Sequence, residues 1–168
     1  MTMRPMRRAN QALDAATCEA VLRRGRTGVL AVTGEDGWPY AVPLNYVYAD
    51  GTLWFHCATE GHKVEAIRRE PRVSFCVVDQ DTVLPERFST AYRSVIVFGT
   101  ARIVREDAER RAAIQALTDK YCPDVPREAC EAFIAKHEAN TLVLALTPTH
   151  ISGKEGHWTR HADATPQA

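Results

Sequence analysis

Gly61-His62-Lys63 places a permissive backbone position beside an imidazole and an ammonium, directly after a strand-like run, LWFHCA (53–58). In that run Leu53, Phe55 and Cys57 share one face, while Trp54, His56 and Ala58 share the other. Val64, Ile67 and Ala66 then supply the apolar side of a helix that Pro71 stops. A strand therefore feeds a helix whose first turn carries the lysine. Such a turn presents free N–H groups and the positive end of the helix dipole, a poor place for a cation unless an anion joins it. A phosphate or carboxylate there would satisfy both, and Gly61 would let the backbone come close to it. The bland alternative has Thr59 capping the helix, Glu60 offsetting the dipole and Lys63 in solvent. Both readings stand on these residues alone.

Other chemistry-bearing residues are sparser. Pro43 sits mid-strand in PYAVPLNYVYA (39–49), where it cannot donate to a ladder. It marks a sheet edge, a bulge, or a place where something other than a strand meets the backbone. Asn45 shares its parity among apolar neighbours. His56, Cys57 and His62 are ligand types, but adjacent strand residues point to opposite faces, which disfavours joint metal coordination. No metal is expected. The five cysteines show no CxxC spacing and sit mostly in apolar or amphipathic runs, so they read as reduced and structural.

The remaining elements must hold this stretch in place. With 168 residues, one domain spanning 1–168 is expected, with 1–12 as a loosely held arm and the tail from 160 disordered. Twenty-one basic and 21 acidic residues cancel, so nothing draws the chain to nucleic acid or an anionic membrane. No apolar run approaches the roughly 18 residues of a membrane span, and the N-terminus lacks a signal-like apolar core, so a cytoplasmic protein is expected. A short helix capped by Asp14 or Thr17 buries Cys18, Val21 and Leu22 and ends at Gly25. Strands follow at 28–33, 39–49 and 52–58, joined by turns at Glu35-Asp36-Gly37 and Asp50-Gly51. Further strands are expected at 73–78, 92–104 with a bulge at Gly99, and 141–146 with an extension at 150–153. Residues 79–91 read as a long irregular loop. Helices are expected from Asp107 to Tyr121 and near 128–137. Six or seven strands joined mostly by tight turns, with helices at the sides, fit a mainly β, small antiparallel barrel.

The ordered segments GVLAV, DGWPYAVPLNYVY, DGTLWFHCATEGHK, REPRVSFCVV and YRSVIVFGTARIV resemble the flavin-binding split-barrel proteins related to pyridoxamine 5′-phosphate oxidase. FHCA followed by EGHK is most similar to the nitroimidazole-resistance branch, and the likeness covers residues 13–146. The resemblance implies FMN held at a homodimer interface, with both chains touching each flavin. It places Pro43, Leu44, Asn45 and Tyr46 beside the ring, and His56, Cys57 and Ala58 towards the ring and ribityl chain. Gly61, His62 and Lys63 would meet the phosphate. Arg93 and Ser94 would reach the flavin, often that of the second subunit, and Trp158 could pack over a ring edge. Ala41 stands where the oxidase proper has arginine, which points away from vitamin B6 oxidation.

The implied activity is FMN-dependent oxidoreduction, from a visiting NAD(P)H to a small planar acceptor, with His56 as proton donor. The tyrosine- and apolar-rich strands carrying Tyr40, Leu44 and Val95 are candidates for the dimer interface. Two alternatives are a haem-binding or haem-degrading protein using His56, His62 or His157 as axial ligand, and a non-catalytic flavin-binding sensor.

Overall fold

Alternating burial builds one antiparallel sheet from seven strands, in the computed structural model that describes residues 3–159. After α1 (Ala15–Arg24) come β1 (Thr27–Thr33), β2 (Pro39–Asn45), β3 (Val47–Ala49) and β4 (Thr52–Ala58). Then follow α2 (His62–Arg69), β5 (Arg72–Leu84), β6 (Ser89–Ile103), α3 (Asp107–Tyr121), α4 (Arg127–His137) and β7 (Thr141–Glu155). The strand order is β2-β1-β5-β6-β7-β4-β3. The two outermost strands, β2 and β3, are consecutive in sequence with only Tyr46 between them. One residue can span only a few ångströms, so the sheet must roll until its edges meet. The result is a split barrel with its seam at Tyr46.

Inward residues of every strand fill the barrel: Leu30 and Val32, Leu53 and Phe55, Phe75 and Val77, Val95 and Val97 are all buried. Phe55 meets Phe75 edge-on at 5.1 Å between centroids, and Tyr46 meets Phe75 at 4.9 Å, the favoured T-shaped contact. Strand β7 is buried on both faces from Val143 to Leu146, because α3 covers its outer side with Ala113 and Ile114. Asp14 caps α1, accepting from the Thr17 N–H at 2.7 Å, and Cys18, Val21 and Leu22 form the buried face.

Several expectations need correction. Residues 79–91 are mostly not a loop: β5 and β6 run on as a hairpin to Leu84 and Ser89, closed by a helical turn at Pro85–Arg87. The strand expected over 39–49 breaks at Tyr46, whose backbone groups bond α3 instead of a neighbouring strand. Glu106, not Asp107, holds the cap position of α3, and its side chain makes no capping bond. Gly61, not Thr59, precedes α2. The arm is tied down in part: Ala12 bridges Lys154, and the Tyr92 hydroxyl donates to Gln11 Oε1 at 3.1 Å. The tail from 160 lies outside the described residues.

The sheet has an open outer face. Across it Pro43, Val29, Cys76, Ile96 and Ser152 align in one row, and Ala41, Ala31, Ser74, Phe98 and His150 in the next. Ile96 and Phe98 are each 38% exposed although β6 is central to the sheet. Among the described residues no helix is long and apolar enough to cross a membrane.

Candidate flavin site at the start of the second helix

Strand β4 ends at Ala58, and the chain reaches α2 through Gly61, whose φ of 122° lies where side-chain-bearing residues are strained. A Cβ at Gly61 would meet nothing within 4 Å, so the space beside this backbone is open. No side chain caps α2. The Val64 and Glu65 N–H groups both turn back to the Gly61 carbonyl, at 2.9 and 3.2 Å, while those of His62 and Lys63 make no hydrogen bond among the described residues. Lys63 is half-buried and has no ion-pair partner among the described residues. Its charge is felt at Cys57, whose thiol is pushed up by burial and pulled partly back by Lys63. The ammonium is therefore near enough to Cys57, at the end of β4, to act on it. Two free N–H groups, a dipole end, an unpaired cation and open space make a fitting cradle for a phosphate monoester.

His62 contributes differently. Its imidazole stacks on Tyr40 at 4.2 Å and 7°, pinning the start of α2 to the β1–β2 hairpin. Its backbone N–H remains available to an anion.

His56 faces outward from β4 and lines an apolar cavity of about 560 Å3 together with Asn45, Thr141 and residues of α3 and α4. The structure thus brings Asn45 and His56 to one cavity. Asn45 Nδ2 donates to the Arg26 carbonyl at 3.1 Å, leaving its oxygen open. Cys57 turns inward, half-buried against the core, and Leu44 packs inward too. Tyr46 is fully buried and its hydroxyl donates to the Leu22 carbonyl at 2.8 Å, with its pKa driven up by burial. Its side chain is out of reach of a ligand, a correction to the expected ring contact.

Residues 14–155 match the family model described as pyridoxamine 5′-phosphate oxidase. The chain belongs to this family, which is flavin-binding. Among solved structures, a candidate nitroimidazole antibiotic resistance protein from Bacteroides thetaiotaomicron is 22% identical, with 86% of each chain covered and a TM-score of 0.71. A FAD-binding protein from Mesorhizobium loti is 28% identical over 87% of this chain and 97% of the other, with a TM-score of 0.65. A FAD-binding protein from Mycobacterium smegmatis is 25% identical over 86% and 96%, with a TM-score of 0.60. No curated protein matches the chain.

In this member of the pyridoxamine 5′-phosphate oxidase family, Arg93 and Ser94 do not converge with Lys63 inside one chain. They pair with Gln80 and Val78 and with Glu155 and Lys154, whereas α2 leads into the opposite end of β6, where the Ala101 N–H donates to the Pro71 carbonyl at 2.8 Å. A bulge after Val78 turns Asp79 inward to Arg24 at 2.6 Å and Arg93 at 3.2 Å, and Arg93 also meets Glu155 at 3.3 Å. Trp158 packs under Arg87, 4.0 Å from guanidinium carbon to ring centroid, at that same end. Pro43 lies exposed on edge strand β2, paired with Val29, on the open face.

Two residues that sequence reasoning missed hold the seam. The Tyr121 hydroxyl accepts from the Tyr46 N–H at 3.0 Å and lies 2.5 Å from the Arg26 carbonyl and 2.7 Å from that of Tyr46. Lys120 donates to the Gly25 and Tyr46 carbonyls at 2.5 and 3.0 Å, its pKa lowered by burial and by Arg26. Phe133 and His137 on α4, with rings 4.4 Å apart, were missed as cavity walls. The helical spacing of Ala129, Cys130, Phe133 and Ile134 was the available signal.

Proposed function

We propose that the protein is an FMN-dependent oxidoreductase that works as a cytoplasmic homodimer with shared flavin sites. The observation that carries this is the uncapped start of α2, where, among the described residues, the His62 and Lys63 N–H groups and the half-buried Lys63 ammonium have no partner, in a chain from a flavin-binding family. A phosphate monoester is the anion such a cradle suits, which favours FMN. When bound, the flavin supplies hydride and electron transfer. Lys63 and the His62 and Lys63 N–H groups hold the phosphate. Gly61 leaves room for its oxygens. His56 and Asn45 face the reacting side, where His56 donates a proton as charge builds on a reduced acceptor. NAD(P)H is the proposed donor and visits only transiently.

The open outer face supports the dimer. Val29, Cys76, Ile96 and Phe98 form a contiguous apolar surface at the centre of the sheet, where a second copy would cover them. Arg93 and Ser94, remote from Lys63 in one chain, would then serve the partner's flavin. The interface expected on the strands of Tyr40, Leu44 and Val95 keeps β2 and β6 but uses their opposite sides, since Val95 is fully buried and Tyr40 and Leu44 pack inward. The haem alternative is served less well, because among the described residues no lysine or arginine lines the cavity beside His56 to pair with propionates. The test is to purify the protein, record its absorbance, and weigh the molecule released on denaturation. A flavin mononucleotide that is reduced by NAD(P)H and reoxidised by an acceptor supports the proposal. Flavin without turnover leaves a sensor, and a Soret band with no flavin refutes it.

A further inference from the structure

The cavity beside His56 has a chemistry of its own. Its floor is the outer side of the sheet at Asn45, His56 and Thr141, and its walls are Leu117 and Tyr121 of α3 and Phe133 of α4. Helix α4 has no fully buried residue, and Phe133 is 65% exposed, so this helix stands off the sheet with an apolar side unfilled. Most polar groups around the cavity are already engaged. The Thr118 hydroxyl donates to the Ile114 carbonyl at 2.9 Å, and that of Thr141 to the His137 carbonyl at 2.9 Å. Tyr121 is committed to the seam. Glu138, the one carboxylate in the lining among the described residues, is held by Arg110 at 2.7 Å. The imidazoles of His56 and His137 make no hydrogen bond among the described residues.

We propose that this cavity binds a neutral, hydrophobic aromatic molecule of two or three rings, with its one polar edge at His56. The volume of about 560 Å3 is that of a drug-sized ligand site, and a single five-membered nitroaromatic ring would leave most of it empty. Among the described residues no lysine or arginine lines it, so an anionic ligand would lose its hydration without gaining a permanent counter-charge, which favours a neutral one. As a binding site the cavity stands on its own geometry. As the seat of the electron acceptor it rests on the flavin reading, and names the substrate class for it.

The test uses the full-length protein and two fluorophores of one shape, neutral N-phenylnaphthylamine and the sulfonated anilinonaphthalene sulfonate. The neutral probe should bind once per chain with enhanced, blue-shifted emission, and the sulfonate at least about tenfold more weakly, since its charge is buried unpaired. Ala129→Trp, at an exposed position that lines the cavity, should fill it and abolish the signal. Ala135→Trp, on α4 but outside the cavity lining, should leave it intact. Circular dichroism checks that both variants fold. Equal binding of the two probes, or neutral-probe binding unchanged by Ala129→Trp, would overturn the proposal. Binding that Ala129→Trp abolishes, in a protein that takes up no FMN, would support the cavity while sinking the flavin reading.

Discussion

Replacing Lys63 by alanine isolates the phosphate contact. The ammonium is half-buried, has no ion-pair partner among the described residues, and sits beside two free N–H groups. A charge-assisted bond of this kind contributes about 1.5–3 kcal/mol. FMN affinity should therefore fall about ten- to a hundredfold, and not to zero, because the N–H groups and the helix dipole remain. Riboflavin, which lacks the phosphate, should bind the variant and the native protein alike. Quenching of flavin fluorescence on titration reads both affinities. Stability should hardly change, since the buried face of α2 is Val64, Ala66 and Ile67. The Cys57 thiol should become harder to ionise, because Lys63 is the charge that opposes the upward pull of burial. Equal losses for FMN and riboflavin would mean that the substitution had disturbed the helix, and unchanged FMN binding would mean that Lys63 holds no phosphate. Either result refutes the assignment.

Ile96→Asp, on the open face, should convert a dimer of twice the 18.7 kDa chain into monomers and weaken flavin retention, as read by light scattering; a native protein that is monomeric with flavin bound would end the dimer proposal. Asp79→Asn should cost about 1.5–3 kcal/mol at neutral pH in urea unfolding, because Asp79 is 9% exposed and shared between Arg24 and Arg93. Burial raises the Asp79 pKa, but the arginines more than offset it and leave it lowered. Its contribution is thus full above the ordinary aspartate value of about 3.9 and lost as pH falls through the lowered one, so only the native protein should show this acid-dependent loss. A thiol reagent should label exposed Cys122 well before Cys57, and equal rates would show that burial does not protect Cys57. Tyr121→Phe should cost about 1–3 kcal/mol by leaving the Tyr46 N–H short of a partner, while the Arg26 and Tyr46 carbonyls keep their bonds from Asn45 and Lys120, and a neutral result would show that the seam does not depend on it.

Much of the barrel was legible because short apolar runs such as GVLAVT (28–33) and VSFCVV (73–78) announce buried strands without any tertiary knowledge. Their period-two burial, with Leu30 and Val32 or Phe75 and Val77 inward, shows only in the fold. The far half of the β5–β6 hairpin was not legible, since Val83 and Phe88 are 67% and 99% exposed and its strands are set by backbone pairing outside the barrel. The break at Tyr46 was invisible for the opposite reason. Leu44, Tyr46 and Tyr48 keep the alternation unbroken, and the groups that interrupt the strand lie 74 and 75 residues away in Lys120 and Tyr121. For the candidate site, the lysine at a helix start could be read from charge against dipole. The stand-off of α4 could not, because helical spacing says which residues share a face and not what lies opposite.

The seam at Tyr46 also constrains how the chain can be made. The β3–β4 hairpin is complete by residue 58, yet it joins the rest of the sheet only through β7, with Leu53 opposite Leu146 and Ala58 opposite Thr141. Its neighbours in sequence, β1 and β2, lie at the far edge. During synthesis the β3–β4 hairpin must therefore wait, unjoined to the rest of the sheet, until residues 141–146 have left the ribosome. The β4–β7 pairing is the most non-local pairing between strands in this sheet, and contacts of that span are slow to form. The barrel closes late and from its C-terminal side, and until then the aromatic interior around Phe55 and Phe75 stays open to whatever else the cell presents to it.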